Sequence, residues 1–191
     1  MLPLKTRGAL PISNGMNLWH DVSIGKKVPD EFNVIVEIPK GSKNKYEIDK
    51  ETGLIALDRV THTTQDFPFD YGFVPQTLWD DGDALDVILL TTHPIQTGVL
   101  VRARPIALMK MIDGGDADDK IVAVPVDDPR WVHVQDLHDI NKHTLKEMGH
   151  FYSTYKKIQK KEVHVAGFED KEAAKKAIER SQELYMKKFV Q

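Results

Sequence analysis

No cysteine occurs anywhere in the 191 residues. Disulfides, thiolate nucleophiles and cysteine-type zinc sites are therefore excluded, and the composition suits a reducing, cytoplasmic setting. No apolar run is long enough to span a bilayer. Net charge is only −3, so no strong field draws the chain to nucleic acid or an anionic membrane. Repeats, low-complexity tracts and linkers are missing too, which leaves one domain with a sizeable core. Neither a G-x-x-x-x-G-K-[ST] loop nor a G-x-G-x-x-G turn is present. The histidines form no H-x-x-x-H pair, and His20, His62 and His133 read as surface or packing residues. An EF-hand fails at Leu85, the fifth position counted from Asp81.

What the chain has instead is acid in concentrated form. Trp79-Asp80-Asp81-Gly82-Asp83-Ala84-Leu85-Asp86-Val87 crowds four aspartates into seven positions. The apolar run Val87-Ile88-Leu89-Leu90 that follows reads as a buried strand, so the aspartates stand at the mouth of a core. Like charges held that close repel, and a divalent cation removes the conflict. Asp81, Asp83 and Asp86 offer hard oxygen ligands, which favour Mg²⁺, Mn²⁺ or Ca²⁺ over zinc. A solvated acidic turn is the alternative. A second acidic loop, Asp113 to Asp119, is closed by Lys120 and leads into another apolar strand, Ile121 to Val126. Two such loops point to carboxylates converging on shared cations.

The remaining pattern is mixed. Phe32, Val34, Val36 and Ile38 recur at period two, a strand with one core face and Glu37 on the other. Lys45 to Asp49 and Leu54 to Arg59 form a hairpin around Glu51-Thr52-Gly53, and its lysine, glutamate and arginine also fit a solvated surface. Thr61 to Pro75 has too many turn formers to be regular and reads as an aromatic plug. Val99–Arg104 and Ile106–Met111 are two strand-like runs parted by Pro105. An amphipathic helix spans about Asn141 to Lys160, a short strand follows at Val163-His164-Val165, and Asp170 caps a final helix to about Lys188. Residues 1–15 carry no acid and two prolines, and read as an N-terminal extension to a domain spanning 16–191.

Carboxylates, cationic side chains and tyrosines, without a serine–histidine or cysteine arrangement, suit a multi-metal site acting on a polyanion. At this point the motifs resemble a known family. D-G-D-A-L-D at Asp81–Asp86 is similar to the signature of the family I soluble inorganic pyrophosphatases. V-E-I-P at Val36–Pro39, K-Y-E-I-D at Lys45–Asp49, D-R at Asp58–Arg59, P-F-D-Y-G-F at Pro68–Phe73, the D-x-x-x-x-D-x-K spacing at Asp113–Lys120 and H-F-Y-S-T-Y-K at His150–Lys156 stand in the family's order.

The resemblance implies an α+β fold: a five-stranded, OB-like closed β-barrel flanked by two main C-terminal helices. It implies Mg²⁺-dependent hydrolysis of pyrophosphate to two orthophosphates by a metal-bridging water. Two or more Mg²⁺ ions would act, with Mn²⁺ or Zn²⁺ as substitutes. Asp83 would be the general base. Asp81, Asp86 and Asp118 would hold the metals, Asp113 would join them, and Glu37 and Glu47 would lie at the edge of the cluster. Lys45, Arg59, Tyr71, Lys120, Tyr155 and Lys156 would grip the phosphates. A homohexamer is the implied assembly.

Three positions depart from the family pattern. Ala84 replaces a proline, which loosens the turn by on the order of 1 kcal/mol or less. Phe67 replaces a tyrosine common among members. Gly114 stands where some members have glutamate. Two rival readings stay open: a hydrolase of a larger diphosphate, and a non-catalytic OB-type module binding oligonucleotides through stacked aromatics.

Overall fold

The computed structural model describes residues 15–190. The extension assigned to residues 1–15 therefore lies, apart from Gly15, outside the described residues. Phe32, Val34, Val36 and Ile38 are fully buried along β1 (Phe32–Ile38). The other face of β1 is covered as well, which corrects the one-faced reading: Ile35 and Glu37 are also buried. Cover comes from the antiparallel hairpin of β2 (Asn44–Ile48) and β3 (Ile55–Val60), which forms a separate two-stranded sheet. Ile48 and Ile55 of this hairpin pack with Ile35, Trp19 and Phe73.

The stretch read as irregular, Thr61 to Pro75, contains β4 (Asp70–Phe73), buried at every residue. Its glycine explains both the strand and the misreading. A Cβ on Gly72 would lie 2.0 Å from the Ile35 carbonyl oxygen, so only a bare backbone can approach β1 this closely. Asp70, fully buried, satisfies neighbouring loops by accepting from the Lys40 N–H at 2.7 Å and the Ile95 N–H at 3.2 Å.

β5 (Asp86–Leu89) follows the aspartate loop, and β6 (Leu100–Asp113) is one long strand, not two. Pro105 is accommodated beside a shift in register against β8, the kind of irregularity at which a strand tolerates a residue without an N–H. β7 (Asp116–Ala117) turns back on the end of β6, and β8 (Lys120–Pro125) and β9 (Val163–Glu169) complete the sheet. β9 is longer than the short strand expected. Pairing runs from β1 to β4, β5, β8 and β6, and β6 in turn pairs with β1. Every pairing is antiparallel except β5 with β8, which places Asp86 opposite Lys120 at the start of both strands.

Two α-helices flank this β core. α1 (Lys142–Thr154) buries Met148, Phe151 and Tyr152, with the Asn141 side chain accepting from the His143 N–H at 2.8 Å. It ends before the expected Lys160. The Thr154 hydroxyl bonds back to the His150 carbonyl at 2.7 Å, competing with helix continuation, and a 3₁₀ turn at Lys157–Gln159 follows. α2 (Lys171–Phe189) starts at the expected cap, Asp170, which accepts from the Ala173 N–H at 3.0 Å. Its Ala174, Ala177 and Ile178 enter the core with Phe32, Val34 and Leu85. Among the described residues, no helix is long and apolar enough to cross a membrane.

Candidate active site

One cavity of about 300 Å³ opens where the starts of β5 and β8, the end of β6, the β2–β3 hairpin and the end of α1 meet. Twelve of the thirteen side chains singled out from sequence line it: Glu37, Lys45, Glu47, Tyr71, Asp81, Asp83, Asp86, Asp113, Asp118, Lys120, Tyr155 and Lys156. Arg59 does not line it. Its guanidinium pairs with Asp58, whose carboxylate also meets Lys45 at 3.2 Å, so Arg59 reaches the site through two intermediates.

Lys120 is the hub. Its side chain is 3% exposed, and its ammonium donates to Asp86 at 2.7 Å and Asp118 at 2.8 Å. The Tyr71 and Tyr152 rings lie 5.4 and 5.9 Å from it, in cation–π range. Burial disfavours the ammonium, but Asp86 and Asp118 outweigh that and hold its pKa well above the usual lysine value. Burial raises the Asp118 carboxyl to about 6, Lys120 pulling it down and Asp86 pushing it up. Burial also raises Glu37 well above the carboxylate range, with Asp86 adding to the effect. The Glu37 carboxylate accepts from the Ile48 N–H at 2.8 Å, which ties β1 to the hairpin. Asp81 is raised by burial, and by Asp86 and Asp83 facing it. Lys156 pairs with Asp113, and its ammonium lies 5.3 Å from the Tyr155 ring centroid.

Sequence reasoning missed two residues. Lys50, in the hairpin turn, lines the cavity and pairs with Asp83; no motif marks it. Tyr152, part of the amphipathic helix and given no role by the sequence, has its ring beside Lys120. The three departures also find physical settings. Ala84 is buried against Trp19 and Ile35. Phe67 is 3% exposed among apolar groups, 5.1 Å from the Phe151 ring, where a hydroxyl would need a partner. Gly114 and Gly115 have φ of +63° and +102° between the paired Asp113 and Asp116. That two-residue turn favours glycine over glutamate.

The donor set tests well against a hard divalent cation. The cavity lining holds seven carboxylates against four lysines, and Asp81, Asp86 and Asp118 repel one another across it. Among the described residues, no three acidic or histidine side chains stand together as a finished ligand set. Lys120 instead spans Asp86 and Asp118. Asp81 and Asp83 are exposed on a loop beside them, and oxygen is the only donor type present, which suits Mg²⁺. A face for oligonucleotides would carry the opposite balance of charge.

Known proteins match this chain along most of its length. The family model described as "Inorganic pyrophosphatase" matches residues 34–186. An inorganic pyrophosphatase of Haloferax volcanii is 49% identical over 175 residues, covering 91% of this chain and 99% of the relative. A soluble inorganic pyrophosphatase of Zea mays is 48% identical over 173 residues, covering 91% of this chain and 81% of the relative. Among solved structures, an inorganic pyrophosphatase from Thermus thermophilus superposes with a TM-score of 0.86 at 39% identity, covering 89% of this chain and 99% of that one. One from Coxiella burnetii gives 0.82 at 46% identity, with coverages of 86% and 99%. With motifs, fold and relatives in agreement, the chain belongs to the inorganic pyrophosphatase family.

Proposed function

We propose that the protein hydrolyses inorganic pyrophosphate to two orthophosphates in this cavity, with Asp83 as the general base. The observation that carries this reading is the gathering of seven carboxylates and four lysines around one small opening. Asp81, Asp86 and Asp118 would hold Mg²⁺, with Asp113 beside them and Glu37 and Glu47 at the edge. When bound, Mg²⁺ supplies charge that acidifies water and screens phosphoryl oxygens. Lys45, Lys120 and Lys156 bind the peripheral oxygens of the substrate, and Tyr71 and Tyr155 fix their geometry. Arg59 acts through Asp58 on Lys45. Asp83, half-exposed and paired only with the half-exposed Lys50, would take a proton from the attacking water.

The ring of pairings through β1, β4, β5, β8 and β6 supports the finer fold reading, an OB-like closed five-stranded barrel. We read residues 16–191 as one domain, since the family match spans 34–186. A cytoplasmic homohexamer is the assembly the resemblance implies. Incubation with pyrophosphate and Mg²⁺ is expected to release orthophosphate, and the same preparation is expected to sediment at about six times the 21.7 kDa of one chain. Silence across several divalent metals overturns the activity; a monomeric mass overturns the assembly.

Metal binding should depend on pH through Asp118. A proton competes with the cation for this carboxylate, whose pKa is raised to about 6. Mg²⁺ affinity is therefore expected to climb by up to about tenfold per unit below pH 6 and to level off above it. Calorimetric titration in buffers of different ionisation heat should show proton release below pH 6 that fades above it. A flat profile between pH 5 and 7 would remove Asp118 from the ligand set.

A further inference from the structure

Asp80 is the one aspartate of the 80–86 loop that does not line the cavity. Its carboxylate instead meets Arg180 of α2 at 2.7 Å. The same guanidinium lies over the Trp79 ring, 4.7 Å from its centroid. Trp79 is buried, and its indole N–H has no hydrogen-bond partner among the described residues. Packing and the Arg180 stack, not a hydrogen bond, therefore fix the ring. The Trp79 backbone in turn closes the aspartate loop: its N–H donates to the Asp83 carbonyl at 2.7 Å, and its carbonyl accepts from the Gly82 N–H at 3.0 Å. One residue earlier, the Leu78 N–H donates to the Ser181 carbonyl in the middle of α2 at 2.9 Å.

We propose that Arg180 is a positioning residue for the aspartate loop. By clamping Trp79 and Asp80 onto α2, it holds Asp81 and Asp83 in the orientation that metal binding and proton transfer need. This rests on the reading of the cavity as a cation site. Arg180 touches neither substrate nor reacting atoms; it acts through Trp79. Its guanidinium is half-exposed, so truncation leaves the fold intact, but Asp81 and Asp83 must then be ordered when the cation arrives. Ordering a loop at the moment of binding lowers affinity.

The test uses the full chain as Arg180→Ala and Arg180→Lys, with Arg130→Ala as a remote control whose partner, Asp128, lies away from the cavity. Calorimetry measures the Mg²⁺ dissociation constant, melting reports the metal-free fold, and kinetics separate kcat from KM. Arg180→Ala is expected to weaken Mg²⁺ binding about tenfold, the combined worth of an exposed ion pair and a cation–π stack. Its melting temperature should stay within a few degrees, and its KM for pyrophosphate at saturating Mg²⁺ should not move. Arg180→Lys keeps charge for Asp80 but not the planar stack, and should fall between. Arg130→Ala should match the unaltered protein. An Arg180→Ala dissociation constant equal to that of the unaltered protein overturns the inference. So does a weakening matched by a large melting loss with no recovery in Arg180→Lys. Failure of the unaltered protein to bind Mg²⁺ overturns the cation-site reading itself, and the inference with it.

Discussion

Asp83→Asn is expected to lower kcat by about 10²- to 10⁴-fold, the range for removing a positioned general base. Mg²⁺ binding should change far less, because Asp81, Asp86 and Asp118 keep their carboxylates. The substitution is nearly isosteric, and Asp83 is exposed, so stability should move by no more than about 0.5 kcal/mol. The Asp83 backbone carbonyl, which anchors Trp79, is untouched. Loss of turnover with intact metal binding and intact melting therefore isolates the proton-transfer role. Near-normal turnover at saturating Mg²⁺ would reject Asp83 as the base and turn attention to another carboxylate of the cavity.

Lys120→Met is expected to destabilise the fold strongly. The side chain is 3% exposed and holds two carboxylates that are 22% and 15% exposed. Removing one partner of a buried ionic cluster leaves uncompensated charge, at a cost of about 3–5 kcal/mol. For a chain of this size that corresponds to a fall of roughly 10 °C in Tm. The sign with pH follows from the directions of the shifts. The raised Lys120 pKa means its contribution is complete at neutral pH and is lost only above the ordinary lysine value. In the variant, the Asp86–Asp118 repulsion is strongest when both are ionised, and Asp118 loses the ammonium that pulled its carboxyl down, so stability should recover as pH falls, beginning above the value of about 6 that Asp118 has beside Lys120. Mg²⁺ should restore stability at neutral pH by binding the folded state. A Tm that ignores both pH and Mg²⁺ would show that Lys120 is not the counter-charge of this pair. Pyrophosphate turnover should also fall, since under the proposed function the same ammonium would meet the substrate.

How far the chain could be read without coordinates depended on whether a residue's role was local. The aspartate loop, the strand after it and the Asp170 cap are set by neighbours in sequence, and each lies where its own residues put it. β4 was not legible, because Gly72 is a strand residue only by virtue of Ile35 lying 2.0 Å from where a Cβ would stand. Pro105 looked like a break because a strand's register shift cannot be seen from one side of a ladder. Ile35 and Glu37 looked like an exposed face until a second sheet and the Trp19 segment covered them. The site behaved alike. Motif order groups Asp81, Asp86, Asp118 and Lys120, but the contacts of Lys50 with Asp83 and of Arg180 with Asp80 and Trp79 arise only between tertiary neighbours. Arg59, named by its motif, sits behind Asp58, a relation that spacing does not encode.

The parallel pairing of β5 with β8 has a consequence for how activity arises during folding. Asp86 and Lys120 become neighbours only when two segments with some thirty residues between them come into register, and such non-local contacts are reached after local ones. A slip of one residue would send the Lys120 ammonium to the opposite side of its strand. Chains that have collapsed but not yet aligned these strands would therefore be catalytically silent, and regained phosphate release would mark the alignment of β5 with β8, not the first compaction.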